Sequence, residues 1–141
     1  MDISILSIFK QKANDENINI DFSGANSSMY IVSNKENKVH MEQYKGDKQP
    51  VGYYSNMKPF TKINVSAKKG DIIYLFTDGY ADQFGGKNGK KLMSKQLKQQ
   101  ILLAYNLPLN EQKLYLDTTF LNWQGKLEQV DDVTVIGIKL S

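Results

Sequence analysis

The chain contains no cysteine, a single histidine, one tryptophan and three prolines. Without cysteine no disulfide can staple the fold. With one histidine, any metal must be bound through oxygen, which excludes the usual nitrogen and sulfur donor sets of zinc. No apolar stretch approaches the length of a membrane span. The opening Met1-Asp2-Ile3-Ser4-Ile5-Leu6 carries no basic region of the kind that starts a signal peptide, so a cytoplasmic protein is expected. Eighteen basic residues are scattered among fifteen acidic ones, a net charge of +3. No basic run is interleaved with aromatics, so nucleic acid is not an expected partner. Nor is there a Ser-His or Cys-His arrangement, so no side chain is assigned as a catalytic nucleophile. What is present is 141 residues with 40% hydrophobic content, read as one domain over 1–141 that is large enough for a core.

The stretch around which the chain is organised is Lys69-Gly70-Asp71-Ile72-Ile73-Tyr74-Leu75-Phe76-Thr77-Asp78-Gly79-Tyr80-Ala81-Asp82. A turn leads into a charge-free, β-branched and aromatic run, the pattern of a strand buried on both faces. A carboxylate at the end of such a strand is held by a rigid element and delivered to a sheet edge. Gly79 lets the chain turn sharply there. The plain alternative is an Asp-Gly turn that closes a strand and does nothing more. Near the C-terminus, Asp131-Asp132 precedes Val133-Thr134-Val135-Ile136-Gly137-Ile138, a second apolar run expected as a buried strand. If the two strands are neighbours, Asp78 and Asp131 converge. Converging carboxylates repel unless a proton or cation stabilises them, and hard divalent ions take oxygen ligands.

The rest of the chain reads as scaffold. Strands are expected over Asp2 to Phe9, Ile18 to Phe22, Met29 to Val32, Val39 to Gln43 and Phe60 to Val65. The first two form an antiparallel pair through a loop at Asn14-Asp15-Glu16-Asn17. The fifth is hairpinned through residues 66–70 to the Ile72 strand. Gly24 to Ser28 reads as a turn, in which Asn26 is either a residue at the edge of a site or one tolerated at a left-handed position. His40 reads as a surface strand residue, and 44–56, with Tyr53-Tyr54, as a loop. Residues 83–91 form a basic, glycine-containing loop, either a solvated linker or a flap on the substrate side. The spacing excludes a phosphate-binding loop and a calcium hand. Met93, Leu97, Ile101 and Ala104 recur at helical spacing with Ser94 as a cap. Leu109, Leu116, Phe120 and Trp123 form the stripe of a second helix that stops at Gly125. Strands, then helices, then one more strand define an α+β layered fold.

At these residues the chain resembles a known family. Asp78-Gly79-Tyr80-Ala81-Asp82 after a hydrophobic strand, and Asp131-Asp132-Val133-Thr134-Val135 before the last one, resemble two C-terminal motifs of the metal-dependent serine/threonine phosphatases (protein phosphatase 2C-like). The branch is the bacterial one typified by the stage II sporulation protein E phosphatase domain. Ser23-Gly24-Ala25-Asn26 is similar to that branch's Gly-x-Asn turn. The resemblance implies a layered antiparallel β-sandwich flanked by helices, with this chain as the C-terminal portion of the catalytic domain and lacking its N-terminal part. It implies hydrolysis of phosphoserine or phosphothreonine on a protein partner, in this branch an anti-sigma factor antagonist. Two Mn²⁺ or Mg²⁺ ions would activate a water. Asp78 and Asp131 would be metal ligands, and Gly79, Asp82, Asp132 and Asn26 would sit around them. An upstream segment of the family, an Asp-x-x-Gly-His-Gly-like turn followed by two helices, has no counterpart in this sequence.

A different reading follows from that gap. Two aspartates are few ligands for two hard cations, and the alternative is a catalytically silent phosphatase-fold fragment that acts as a binding or dimerisation module. Without the upstream helices apolar sheet surface should be uncovered, which favours association, so a homo-oligomer is expected, or a chain whose exposed face is covered by rearrangement. A monomer with no exposed apolar sheet face would contradict that expectation.

Overall fold

A computed structural model describes every residue except 13, 14 and 54; the Asn14 end of the expected loop and Tyr54 therefore lie outside the described residues. The chain clusters into two compact units, one of Met1–Leu75 with Ile136–Ser141, the other of Phe76–Val135.

The first unit is built on alternation. Strand β1 (Ile3–Phe9) pairs antiparallel with β2 (Asn17–Ala25), as expected, with Leu6 opposite Phe22 and Ile8 opposite Ile20. On β2, Ile18, Ile20 and Phe22 are buried and the residues between them are not, the period-two signature of a sheet with one covered face. β3 (Ser28–Lys35) and β4 (Lys38–Lys45) form a hairpin. Its two-residue loop, Glu36-Asn37, has φ of 53° and 61°, the paired positive angles of a turn whose twist matches that of the strands. His40 lies exposed on β4, as expected.

Two sheets result. One has the order β1-β2-β5, where β5 is Ile63–Lys68; the other has the order β4-β3-β6-β9, where β6 is Ile72–Phe76 and β9 is Val135–Lys139. Ile18, Ile20, Phe22 and Ala67 of the first sheet pack with Met29, Ile31 and Ile73 of the second, and Leu140 closes the cluster. β3 and β6 are buried on both faces, with Tyr30, Val32, Ile72 and Tyr74 hidden as well. That agrees with the absence of charge from β6 and from β3 before Lys35.

Three expectations for this unit are corrected. β5 does not form a hairpin with β6. It pairs antiparallel with β2 in the other sheet, and the tight turn at Lys68, held by Asp71 N–H on the Lys68 carbonyl (3.1 Å), passes the chain between sheets. β2 runs on through Gly24 to Ala25, so the turn begins only at Asn26 (φ 49°). Gly24 is needed there because a Cβ would lie 2.8 Å from the Phe22 ring and 2.9 Å from the Ser27 carbonyl oxygen. Finally, β9 lies at the end of its sheet and Ile136 is 46% exposed, so the last strand is an edge and not a buried one.

The second unit holds the helices. α1 is a single turn (Gly79–Asp82), and a short ribbon follows from β7 (Phe84–Gly85) and β8 (Lys90–Lys91). α2 (Ser94–Ala104) buries Leu97, Ile101 and Ala104. Met93 is outside the stripe. It precedes the helix at φ 74°, is exposed, and is held by its N–H on the Ala81 carbonyl (2.7 Å). α3 (Leu109–Gln124) buries Leu116 and Phe120, leaves Leu109 partly exposed, and ends at Gly125 with φ 60°. Among the described residues no helix is long and apolar enough to cross a membrane.

Asp21 on β2 generates a pH prediction. Its carboxylate accepts from Lys62 Nζ (2.9 Å) and from Asn64 Nδ2, which hold it below the usual carboxylate range. A carboxyl depressed in the folded state contributes stability above its unfolded value, and that stability is lost as pH falls through the folded value. Asp21→Asn should therefore be less stable than the parent at neutral pH, and the gap should shrink on going to about pH 3. Urea unfolding across that range checks this; a gap that stays constant would refute it.

Candidate metal centre

The site begins where β6 ends. Thr77 is the first residue past the strand, and it bonds the opposite segment three times. Its N–H donates to the Thr134 carbonyl (3.1 Å), its hydroxyl donates to the Asp132 carbonyl (2.9 Å), and the hydroxyl oxygen accepts from Thr134 N–H (3.0 Å). The β6–β9 adjacency is thus prolonged by side-chain bonds beyond the ladder.

Gly79 completes the approach. A Cβ there would overlap the Asp132 carbonyl oxygen and lie 3.0 Å from its carbon and 3.4 Å from the carbonyl carbon of Asp131. The obstacles are main chain, which cannot rotate aside. Gly79 was expected to serve a sharp turn, but its φ is not in the left-handed region. It opens a helical turn, and its requirement is for space.

The acidic residues are thereby gathered from two segments. Asp78 is exposed at the N-cap of α1 (φ −69°, ψ −21°) and makes no side-chain cap bond. Asp131 is exposed, and its Oδ1 accepts from the Asp132 N–H at 2.7 Å. Asp132 is exposed beside it. Among the described residues, neither Asp78 nor Asp131 pairs with a lysine. Asp82, one helical turn on, donates its N–H to the Asp78 carbonyl (2.9 Å) and binds Lys91 Nζ through its carboxylate (3.0 Å). Asn26 belongs to the first unit, where its side chain donates to Asp2 (3.0 Å) and its N–H to the Asp47 carbonyl (2.8 Å).

The residue that makes the most connections here carries no charge or motif to mark it in the sequence. Gln83 is fully buried. Its Nε2 donates to the carbonyls of Phe84 (3.0 Å) and Glu128 (2.9 Å), and its Oε1 accepts from Val130 N–H (3.3 Å). Its own carbonyl receives Trp123 Nε1–H (3.0 Å) and Leu92 N–H (3.0 Å). The Trp123 carbonyl in turn accepts from Gly86 N–H (2.7 Å). Residues 83–91 are accordingly an anchored ribbon and not a solvated linker. The only signal was an uncharged amide beside paired glycines. Tyr80 donates its hydroxyl to the Leu116 carbonyl (2.8 Å), and its ring packs at a 50° tilt against Phe120, 5.0 Å between centroids. Burial, followed by the nearby Tyr115 and Asp117, pushes its phenol well above the ordinary value.

Asp78 and Asp131 fit a hard cation in kind, as exposed oxygen donors free of lysine partners. In number they are part of a donor set. Among the described residues no group of three or more His, Asp or Glu comes together, whereas such ions take about six or more oxygens.

The antiparallel sheets with helices match the fold of a protein phosphatase 2C-like domain. The fold is similar to the solved SiaA-PP2C domain of Pseudomonas aeruginosa, with a TM-score of 0.77 and 26% identity over 89% of this chain. The match covers 51% of that domain, so this chain spans about half its length. No curated protein sequence matches. The family described as Stage II sporulation protein E (SpoIIE) matches residues 13–141, and the chain belongs to that family.

Gly79→Ala should lower stability by about 1–3 kcal/mol, the range for overpacking, because the Asp131–Asp132 main chain must move. Urea unfolding gives the loss, and amide resonances of those two residues report the displacement. A variant as stable as the parent with unmoved resonances would show that the two main chains are not in contact.

Proposed function

We propose that this domain takes part in the metal-dependent hydrolysis of phosphoserine or phosphothreonine on a protein partner. The observation that carries the reading is the close approach of Gly79 to Asp131 and Asp132, which gathers exposed carboxylates from two distant segments of a SpoIIE-family chain. Asp78 and Asp131 would hold Mn²⁺ or Mg²⁺ in part, two ions in the complete domain. Bound there, the ions would supply Lewis-acid charge and activate water.

The chain's own residues have separable roles in this proposal. Thr77 fixes the level of the Asp132 main chain against the end of β6. Gly79 admits it. Asp132 offers a further exposed oxygen acceptor beside Asp131, and the pairing of Asp82 with Lys91 keeps the ribbon's charge next to α1. No protein nucleophile is assigned. The partner would be a phosphorylated cytoplasmic protein, by resemblance an anti-sigma factor antagonist. The two units together would form one portion of a catalytic domain.

A second reading is favoured by one observation, the lack of any group of three ligating residues among those described. In it the chain is a catalytically silent phosphatase-fold module that binds or dimerises. Calorimetric titration with Mn²⁺ separates the two. Micromolar binding by the chain, lost in both Asp78→Asn and Asp131→Asn, is expected for a metal site; absence of binding to the intact chain would favour the silent module.

A further inference from the structure

Residues 128–130 have no regular secondary structure and are exposed, yet they lead directly into Asp131. A segment of that kind has no ladder to fix its height. Two tethers bracket it: downstream, the Thr77 hydroxyl holds Asp132 and Thr134; upstream, the Gln83 amide holds Glu128 and Val130. The Gln83 side chain is fully buried with both amide protons and its oxygen committed to main chain. An amide in that state is fixed in rotamer and orientation, because any other orientation strands a buried donor or acceptor.

We propose that Gln83 is a positioning residue for Asp131, setting where that carboxylate stands relative to Asp78. The inference rests on the reading of Asp131 as a metal ligand, and groups that orient ligands govern metal affinity without touching the ion. It assigns a site role to a residue outside the acidic motifs.

The same unit supplies a matched control. Gln112 is also buried, and its Nε2 donates to the carbonyls of Tyr105 (3.1 Å) and Leu107 (2.8 Å) at the turn between α2 and α3. Gln83→Met and Gln112→Met each replace a buried amide with an apolar chain of similar length, and both should lower the melting temperature. Only Gln83→Met should shift the amide resonances of Asp131 and Asp132. Only it should weaken Mn²⁺ binding, by roughly ten- to hundred-fold. Should Gln83→Met fail to fold, Gln83→Asn keeps the amide, shortens its reach by one methylene, and should give the same pattern at smaller amplitude. Equal resonance shifts at Asp131 and Asp132 in the Gln83 and Gln112 variants would overturn the proposal, as would parent-like Mn²⁺ affinity with Gln83 replaced. If the parent chain binds no Mn²⁺, the metal reading fails by itself and the resonance comparison still decides the role of Gln83.

Discussion

The arrangement depends on a main-chain contact that only a residue without a side chain permits. Gly79 lies so close to the Asp132 carbonyl that a single added carbon would overlap it. That approach lets Thr77 reach across to residues 132 and 134 with both its main-chain and side-chain groups. It also puts the segment carrying Asp78 against the segment carrying Asp131. Opposed main chains this close leave little freedom for the residues on either side, so the placement of Asp78 and Asp131 is set first by the backbone that carries them.

Division of labour in the core supports this. In the first unit, apolar side chains from two sheets interdigitate around Ile20, Phe22, Met29 and Ile73. In the second, aliphatic and aromatic side chains from α1, α2 and α3 are joined by buried amides that bond main chain. Gln83 and Gln112 each hold a segment that lacks a ladder. Apolar packing is non-directional, so it sets density but not the height of a loop. Directed bonds from buried side chains set that height, and among the described residues no buried side-chain nitrogen or oxygen is left without a partner.

Much of this was legible in the sequence, for definable reasons. Period-two alternation located β1 and β2 and their pairing, and the charge-free run of β6 announced burial on both faces. Pairing partners were less legible. The Lys-Gly-Asp turn told where the chain reverses but not whether the next strand joins the same sheet, and β5 went to β2 instead of β6. The apolar run at Val135 did not distinguish an edge from a centre. At the site, both acidic segments were visible because carboxylates beside apolar strands stand out, and the strands are adjacent. The reason for Gly79 was not visible, since a glycine needed for space and one needed for a turn look alike. Gln83 was missed because composition gives a buried polar anchor no mark that separates it from a loop residue.

The interrupted course of the β4-β3-β6-β9 sheet has a consequence for how the protein is made. β6 and β9 are neighbours, yet the whole of the second unit is synthesised between them. While that unit emerges from the ribosome, β6 carries an unpaired flank, a ready template for other strands. Folding of the second unit shortens the effective loop that must close, since the Thr77–Thr134 bonds draw its two ends together. Docking of β9 then becomes a nearly local event. The acidic segments would meet before the sheet is complete, and assembly of the site would precede assembly of the scaffold that displays it.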